Sequence, residues 1–510
     1  MKGNVLKKFL CTCLVTAAAF AATTISASAC TTIYVGGDLV EEGTPFVART
    51  EDYGSDYNKL WFISESGKWK QGDHYVGCPE YGPFEWDFTH DSYRFTYFTN
   101  DIYYDGICPE CGEKADHYSY TEFGTNEKGV SVSATETLYG NEKVTEADPY
   151  RDAEWAEANK SERIGIEETD IPTIILAEAS SAREGVKLLL DIYENYGCVA
   201  ASGVFVCDKD EVWYVENCSG TQYVAIKLNN MIFLEPNMAV IGRVDLDDEN
   251  VIASKDLIAV AKKAGTFVGD EAKNIIDFRA SYARISEKMD QRMIDGLNYL
   301  NATYMYDSDA LVADNTKFTI SNLDASDKLV ALYTNIKADR KLDKDDVFGY
   351  YKLSSIGKAS NQEIEIFQLF KDRPVETATV GWVGVGNMSY NVFVPYYPML
   401  IDSMYKGYQV STASAKFTTE KPDTFCTYGT SWAQDAEGNW QRVSGFKAYP
   451  SNWKDSYYFT FEGLGGYIAN ADKITGKPLK AEAKAYVADK LAALQQELYK
   501  DFVTTDQLAK

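Results

Sequence analysis

Ala27-Ser28-Ala29-Cys30-Thr31-Thr32-Ile33-Tyr34-Val35-Gly36, followed by Thr44-Pro45-Phe46-Val47-Ala48-Arg49, decides how the chain is read. The β-branched and aromatic residues from Thr31 to Val35 predict a strand, Gly36-Gly37-Asp38 a turn, and Thr44 to Arg49 an antiparallel neighbour. Upstream, Lys7 and Lys8 lead into an uncharged apolar run from Phe9 to Ala22, and Ala27-Ser28-Ala29 supplies a small-residue cleavage signal. That run is too short to span a bilayer, so residues 1–29 read as a removable export signal, giving no membrane span. Cleavage after Ala29 would make Cys30 the first residue of the mature protein. An N-terminal cysteine carries a strong nucleophile and a potential base, its thiol and its α-amine, on one residue. A lipoprotein is the competing reading, with Cys30 lipidated on sulfur and acylated on nitrogen. That signal wants Leu or a close relative three residues before the cysteine, where this chain has Ala27.

The 510 residues are 45% apolar and 14% aromatic, enough for a large core in one unit. The formal charge of −26 becomes −29 once Lys2, Lys7 and Lys8 leave with the signal. Such a field repels nucleic acid and anionic membrane surfaces and suits an exported protein.

Of ten cysteines, Cys11 and Cys13 leave with the signal. Apart from Cys30, that leaves Cys78, Cys108, Cys111, Cys198, Cys207, Cys218 and Cys426, an odd number for a disulfide framework. Cys108-Pro109-Glu110-Cys111 lacks a second such pair, so a complete four-ligand zinc site is not visible, and a local disulfide or a partial site both remain open. The three histidines, His74, His90 and His117, all fall in one Tyr-rich stretch. A Cys-His pair or a multi-His metal site would have to come from these, so a self-contained nucleophile is the more economical reading, with no metal and no cofactor.

Residues from about 53 to 119, dense in Tyr, Asp, Gly and Trp, read as a loop insertion with short strands. Gly124 to Gly129 reads as a turn, and Val130 to Thr135 alternates as a half-buried strand. Ile171 to Tyr196 predicts helix in two pieces, with Ser181 and Glu184 at capping-box spacing and Gly197 closing it. Gly203–Cys207, Glu211–Glu216 and Gln222–Leu228 predict three successive strands. A helix is expected over Val251–Lys263, strands between Gly381 and Tyr397, and an amphipathic helix from Lys480 to Tyr499. Strand hairpins, then helices, then antiparallel strands again argue for an α+β fold in one domain, residues 30–510.

A cysteine nucleophile needs a cation nearby to lower its pKa, and Arg49 ends the strand expected to pair with the one starting at Cys30. Asp52, three residues on, would accept a hydrogen bond from the ammonium or from Arg49. Taken alone, the pair would also suit a surface ion pair.

Cys30-Thr31-Thr32-Ile33 with Ala48-Arg49-Thr50-Glu51-Asp52 resembles the start of the peptidase family C69 dipeptidases, in the N-terminal nucleophile (Ntn) hydrolase superfamily. The similarity continues through Gly124–Val130, Thr135–Thr137, Trp213–Glu216, Ser219–Ala225 and Glu235–Asn237. It extends further to Glu363–Gln368, Gly381-Trp382 and Val394–Tyr397. The resemblance implies a four-layer αββα sandwich, two antiparallel sheets between helical layers. It makes Cys30 the nucleophile with its α-amine as base, Arg49 and Asp52 its supports, and Asn237 the oxyanion donor. Thr135 and Glu136 would line the site, the Glu136 carboxylate suiting the ammonium of a dipeptide. An export signal departs from family members that begin with Met-Cys, and the segment around Cys108 to Cys111 has no named counterpart.

The expected protein is therefore an exported cysteine dipeptidase, secreted or held in a bacterial cell envelope, with assembly into a homo-oligomer left open. An acylase cutting a bile-salt conjugate, penicillin V or a lactone is the rival within the same chemistry. A lipid-anchored surface binding protein, with Tyr103, Tyr104 and Trp86 holding a glycan or peptide, is the rival from another class.

Overall fold

The computed structural model of the chain describes residues 30–52, 59–77, 84–100, 121–285, 290–300, 302–304, 336–357, 361–385, 393–401, 430–434 and 440–444. The export signal expected at residues 1–29, Cys78, Cys108, Cys111, His117, Cys426 and the helix expected at Lys480–Tyr499 lie outside them.

Thr31–Val35 is a strand, and Phe46–Asp52 pairs with it antiparallel, Thr32 opposite Arg49 and Ile33 opposite Ala48. This hairpin is the centre of an eight-stranded sheet. Its order is Ala302–Tyr304, Ile336–Ala338, Ile232–Glu235, Thr31–Val35, Phe46–Asp52, Asn361–Leu369, Thr379–Val385, Val394–Tyr396. A second sheet of eight runs Val251–Ala253, Tyr223–Leu228, Val212–Asn217, Gly203–Cys207, Ser131–Thr135, Thr121–Asn126, Phe95–Asn100, Lys59–Ser64. Every pairing within the two sheets is antiparallel.

Side-chain alternation sorts the second sheet into two buried faces. Val204, Val206, Trp213, Val215 and Ala225 pack with Ile174, Ile175, Val186 and Leu189 of the helices Ile171–Glu178 and Ala182–Asn195. Phe205, Tyr214, Val224 and Ile226 turn the other way, into the core shared with the first sheet. Ring contacts join the sheets there: Phe205 and Tyr214 meet Phe233 at 5.5 and 4.6 Å, and Phe123 meets Phe367 at 6.2 Å. On the far side of the first sheet, Gly296 of the helix Gln291–Tyr299 sits against Leu234 and the Tyr350 ring, so that helix and Lys344–Tyr350 form the fourth layer. Helix, sheet, sheet, helix is the αββα sandwich that the resemblance implied. Each fully buried Val, Ile or Phe contributes roughly 1.5–3 kcal/mol to holding these layers together.

Local signals hold in detail. Ser181 Oγ accepts from Glu184 N at 3.2 Å, while the Glu184 carboxylate reaches Ser180 N instead of closing a reciprocal box. Gly197, at φ +79°, ends that helix with its N–H on Ile192 and Tyr193 carbonyls. The helix expected over Val251–Lys263 is shorter. Val251–Ala253 is a strand on Tyr223–Leu228, and the helix is Leu257–Ala264. The β-branched Val251 and Ile252 take the open sheet edge before helical spacing begins at Leu257. Within the stretch read as a loop insertion, Lys59–Ser64 and Phe95–Asn100 are strands of the second sheet itself. Cys30, Cys198, Cys207 and Cys218 are buried free thiols.

Candidate active site

Cys30 stands at the N-terminal end of the first strand and is only 3% exposed. Positions 30, 32 and 34 share the face turned toward the second sheet, as do Arg49 and Glu51 on the neighbouring strand. Cys30 Sγ accordingly donates to Glu51 Oε2 at 3.3 Å, and Arg49 Nη1 lies 3.7 Å from the sulfur and 2.8 Å from the same carboxylate oxygen. Arg49 is 1% exposed. Its Nε donates to Ser133 Oγ at 2.7 Å and Glu365 Oε1 at 3.1 Å, while Nη2 and Nη1 face Glu122 at 3.5 Å and Glu168 at 3.8 Å.

Two irregularities in the sheets aim these side chains. The pairing of Phe95–Asn100 with Thr121–Asn126 jumps from Phe98 opposite Phe123 to Thr99 opposite Thr121. Glu122 is therefore the extra, bulged residue, and a bulge swings such a side chain off the ordinary alternation. A second shift, between Asn361 and Glu363, sets Asn361 opposite Asp52, and Asn361 Nδ2 donates to Asp52 Oδ1.

A second arginine organises the other side. Arg292 Nη1 donates to the Cys30 carbonyl oxygen at 2.7 Å, Thr31 Oγ1 at 2.9 Å and Asn237 Oδ1 at 3.0 Å. Asp290 holds the guanidinium at Nε and Nη2, both at 2.9 Å. With its oxygen on Arg292, the Asn237 amide presents its NH2 end as donor.

Electrostatics here run against an ionised thiol at rest. Burial, then the Glu51 charge, push the Cys30 thiol well above its ordinary range; Arg49 pulls it down, while Asp52 and Glu168 add to the rise. Burial also works against the Arg49 charge, but Glu365, Glu51, Cys30 and Glu122 hold it firmly protonated. Burial, Glu51 and Glu122 push the Glu168 carboxyl well up, against Arg49. Burial lifts Glu365 to about 7 despite Arg49 and Ser133. Below the site, burial lifts Glu235 to about 8, although its carboxylate accepts from Thr32 Oγ1 at 2.9 Å.

Ligand oxygens of Glu51, Glu122 and Glu168 lie within 4.8 Å of one another, close enough for a cation. The Arg49 guanidinium, however, already places a fixed positive charge against all three, which disfavours a divalent ion there.

The residues expected from the sequence are thus distributed unevenly. Cys30 and Arg49 meet directly; Asn237 joins them through Arg292; Asp52 sits beside them on Asn361. Thr135 is buried on the inter-sheet face two positions beyond Ser133, its hydroxyl on Thr137 Oγ1 at 3.2 Å. Glu136 is half-buried, and its charge adds to the rise of Glu168. The two described histidines are engaged elsewhere, His74 on Asp87 and His90 on the Asp91 and Glu178 carbonyls. Roles for Glu51, Glu122, Glu168, Glu365, Ser133 and Arg292 were not read from the sequence. Glu51 and Glu365 fall inside segments that carried the resemblance, and acids on a central strand with all nine residues buried, Asn361–Leu369, were a legible sign.

The site thus sets a buried cysteine at the head of one central strand beside a buried arginine from its neighbour, between the two sheets of an αββα sandwich. The model of "Peptidase family C69" matches residues 29–442, and the chain belongs to that family. "Probable dipeptidase B" of Streptococcus pyogenes serotype M1 is 30% identical over 403 residues, covering 75% of this chain and 74% of its own. "Probable dipeptidase" of Salmonella dublin is 28% identical over 380 residues, 72% of this chain and 81% of its own. A solved variant of conjugated bile acid hydrolase from Clostridium perfringens covers 74% of this chain and 99% of its own at 12% identity, with a TM-score of 0.28.

Proposed function

We propose that the protein is an exported cysteine dipeptidase whose nucleophile is Cys30 and whose base is the α-amine freed by cleavage after Ala29. The carrying observation is the buried Cys30 Sγ beside Arg49 and Glu51, with Asn237 tied to the same residue through Arg292. Continued by one residue, the strand register sets Glu51 opposite Cys30 and Asp52 a step beyond, on the side of the cysteine nitrogen. Asp52 there supports the ammonium.

In this reading the α-amine takes the thiol proton, and the sulfur attacks the scissile carbonyl carbon. Arg49 stabilises the thiolate. The oxyanion forms against the Asn237 NH2, a contact worth about 3 kcal/mol when the donor is well placed. The C–N bond then breaks, with the ammonium proton passing to the leaving amine. Water, deprotonated by the same amine, attacks the thioester, releases the acid and returns the thiol. Thr135 and Glu136 line the approach.

A lipid-anchored binding protein is disfavoured because Cys30 Sγ faces the charged side chains of Glu51 and Arg49, surroundings that suit a reacting thiol and not a lipid chain. An acylase would use the same chemistry, and the dipeptidase names of the relatives favour peptides.

The test is hydrolysis of a dipeptide panel by the mature protein and two variants. Cys30→Ala is expected to abolish turnover with the melting temperature retained. A single Gly placed before Cys30 is expected to inactivate by turning the base into an amide. Full turnover by either variant would end the mechanism.

A further inference from the structure

Glu168 is more than nine-tenths buried, yet among the described residues its carboxylate accepts no hydrogen bond; its close partner is Arg49 at 3.8 Å. Arg49 is itself shared among Glu51, Glu122 and Glu365, so one guanidinium faces four buried acids. Facing Arg49 only at ion-pair distance, the Glu168 carboxylate keeps its capacity to accept from a further cationic donor. The side chains of Glu51 and Glu168 retain 7% and 9% of their exposure whereas Glu122 has none, so the cluster opens on the Glu51 and Glu168 side.

We propose that Glu168, with Glu51 and Glu122, receives the free α-ammonium of the substrate, restricting the enzyme to peptides with an unblocked N-terminus and the cut to their first peptide bond. The proposal rests on the reading of Cys30 as nucleophile and moves ammonium recognition from Glu136 to the cluster that touches the thiol.

Distances close around this arrangement. In the N-terminal residue of a peptide, the amine nitrogen and carbonyl carbon are only about 2.5 Å apart. A charge-assisted hydrogen bond sets the ammonium roughly 2.8 Å from a carboxylate oxygen, and attack needs the carbonyl carbon roughly 3–3.5 Å from sulfur. Glu51 Oε2 lies 3.3 Å from Cys30 Sγ, so the four atoms form a compact ring with no room for a second residue between amine and scissile bond. The carbonyl attacked is then that of residue one, as in a dipeptide.

An ammonium suits the site better than a divalent cation. It brings one positive charge beside Arg49 and three donors for three acids. It also offsets the Glu51 and Glu168 fields that keep the thiol protonated, so binding of the correct substrate favours the nucleophilic form. Penicillin V, bile-salt conjugates and acetylated peptides bring no such charge.

The experiment compares alanyl-alanine with N-acetyl-alanyl-alanine in the mature enzyme and in Glu168→Gln, which preserves shape and removes the charge. Wild type is expected to favour the free amine by at least about 100-fold in kcat/KM. Glu168→Gln is expected to lose about 10- to 100-fold on the free dipeptide, mainly in KM, so that the ratio collapses. Equal cleavage of both substrates by wild type, or an unchanged ratio in Glu168→Gln, overturns the proposal. Calorimetric binding of alanyl-alanine to Cys30→Ala, with and without Glu168→Gln, separates the two readings. Binding that requires Glu168 would uphold the ammonium site even if wild type cleaved no dipeptide. Binding indifferent to Glu168, or binding lost to EDTA and restored by Mn2+, would refute it while leaving any observed hydrolysis to Cys30.

Discussion

Replacing Arg49 by Gln removes the guanidinium that faces Glu51, Glu122, Glu168 and Glu365 and donates to Ser133. Breaking a buried pair by deleting one partner costs about 3–5 kcal/mol, because the surviving charge has lost its counter-ion. Here several acids lose it together, which places the expected loss toward about 5 kcal/mol at pH 8. The loss should shrink on acidification. Burial lifts Glu365 to about 7, so it is largely neutral at pH 5 in the wild type, and burial with the Glu51 charge pushes Glu168 in the same direction. With fewer charges to strand, the loss should fall to about 1–2 kcal/mol, the cost of unmade hydrogen bonds. Urea denaturation of both proteins at pH 5 and pH 8 reads this directly. A loss under about 1 kcal/mol at pH 8, or an equal loss at both values, would refute the charge-cluster reasoning.

Three further outcomes are expected. Glu235 and Glu365 have folded-state values of about 8 and 7, above those of an unfolded carboxyl. Stability from their protonated forms is complete below about 4.5 and lost as pH rises through 7 to 8, so the melting temperature should fall across that window. Glu235→Gln should flatten the slope, and an unaltered slope counts against this assignment. Arg292→Lys cannot reach the Cys30 carbonyl, Thr31, Asn237 and Asp290 together, so kcat should drop by about 100-fold with little change in alkylation of Cys30 by iodoacetamide; wild-type kcat would remove Arg292 from the site. Gly197→Ala should lower stability by at least about 2 kcal/mol, given φ +79° and the Gly220 oxygen 2.7 Å from the added carbon; a neutral result in thermal melting would show that the chain relaxes there.

Local chemistry made much of this fold readable. The hairpin from Thr31 to Arg49, the split helix over Ile171–Tyr196 and the three strands from Gly203 to Leu228 carry their own turn, capping and alternation signals. The two-residue geometry of a strand was enough to bring Arg49 toward Cys30. The acid cluster was harder to see because it depends on register. Glu122 reaches Arg49 only through a bulge, and Asn361 meets Asp52 only through another; neither is written in propensity. Arg292 lies 262 positions from Cys30, and no periodicity ties them. The Tyr-rich stretch misled in part, since the pairing of Lys59–Ser64 with Phe95–Asn100 spans a connection whose composition resembles loop.

The most direct measurement is the intact mass and N-terminal sequence of the active protein, taken before and during dipeptide turnover quenched with acid. The account predicts a chain beginning at unmodified Cys30, with an added mass during turnover equal to one amino-acyl group on that residue. A lipidated Cys30, or an internal Cys30 in a protein that still cleaves dipeptides, would contradict it.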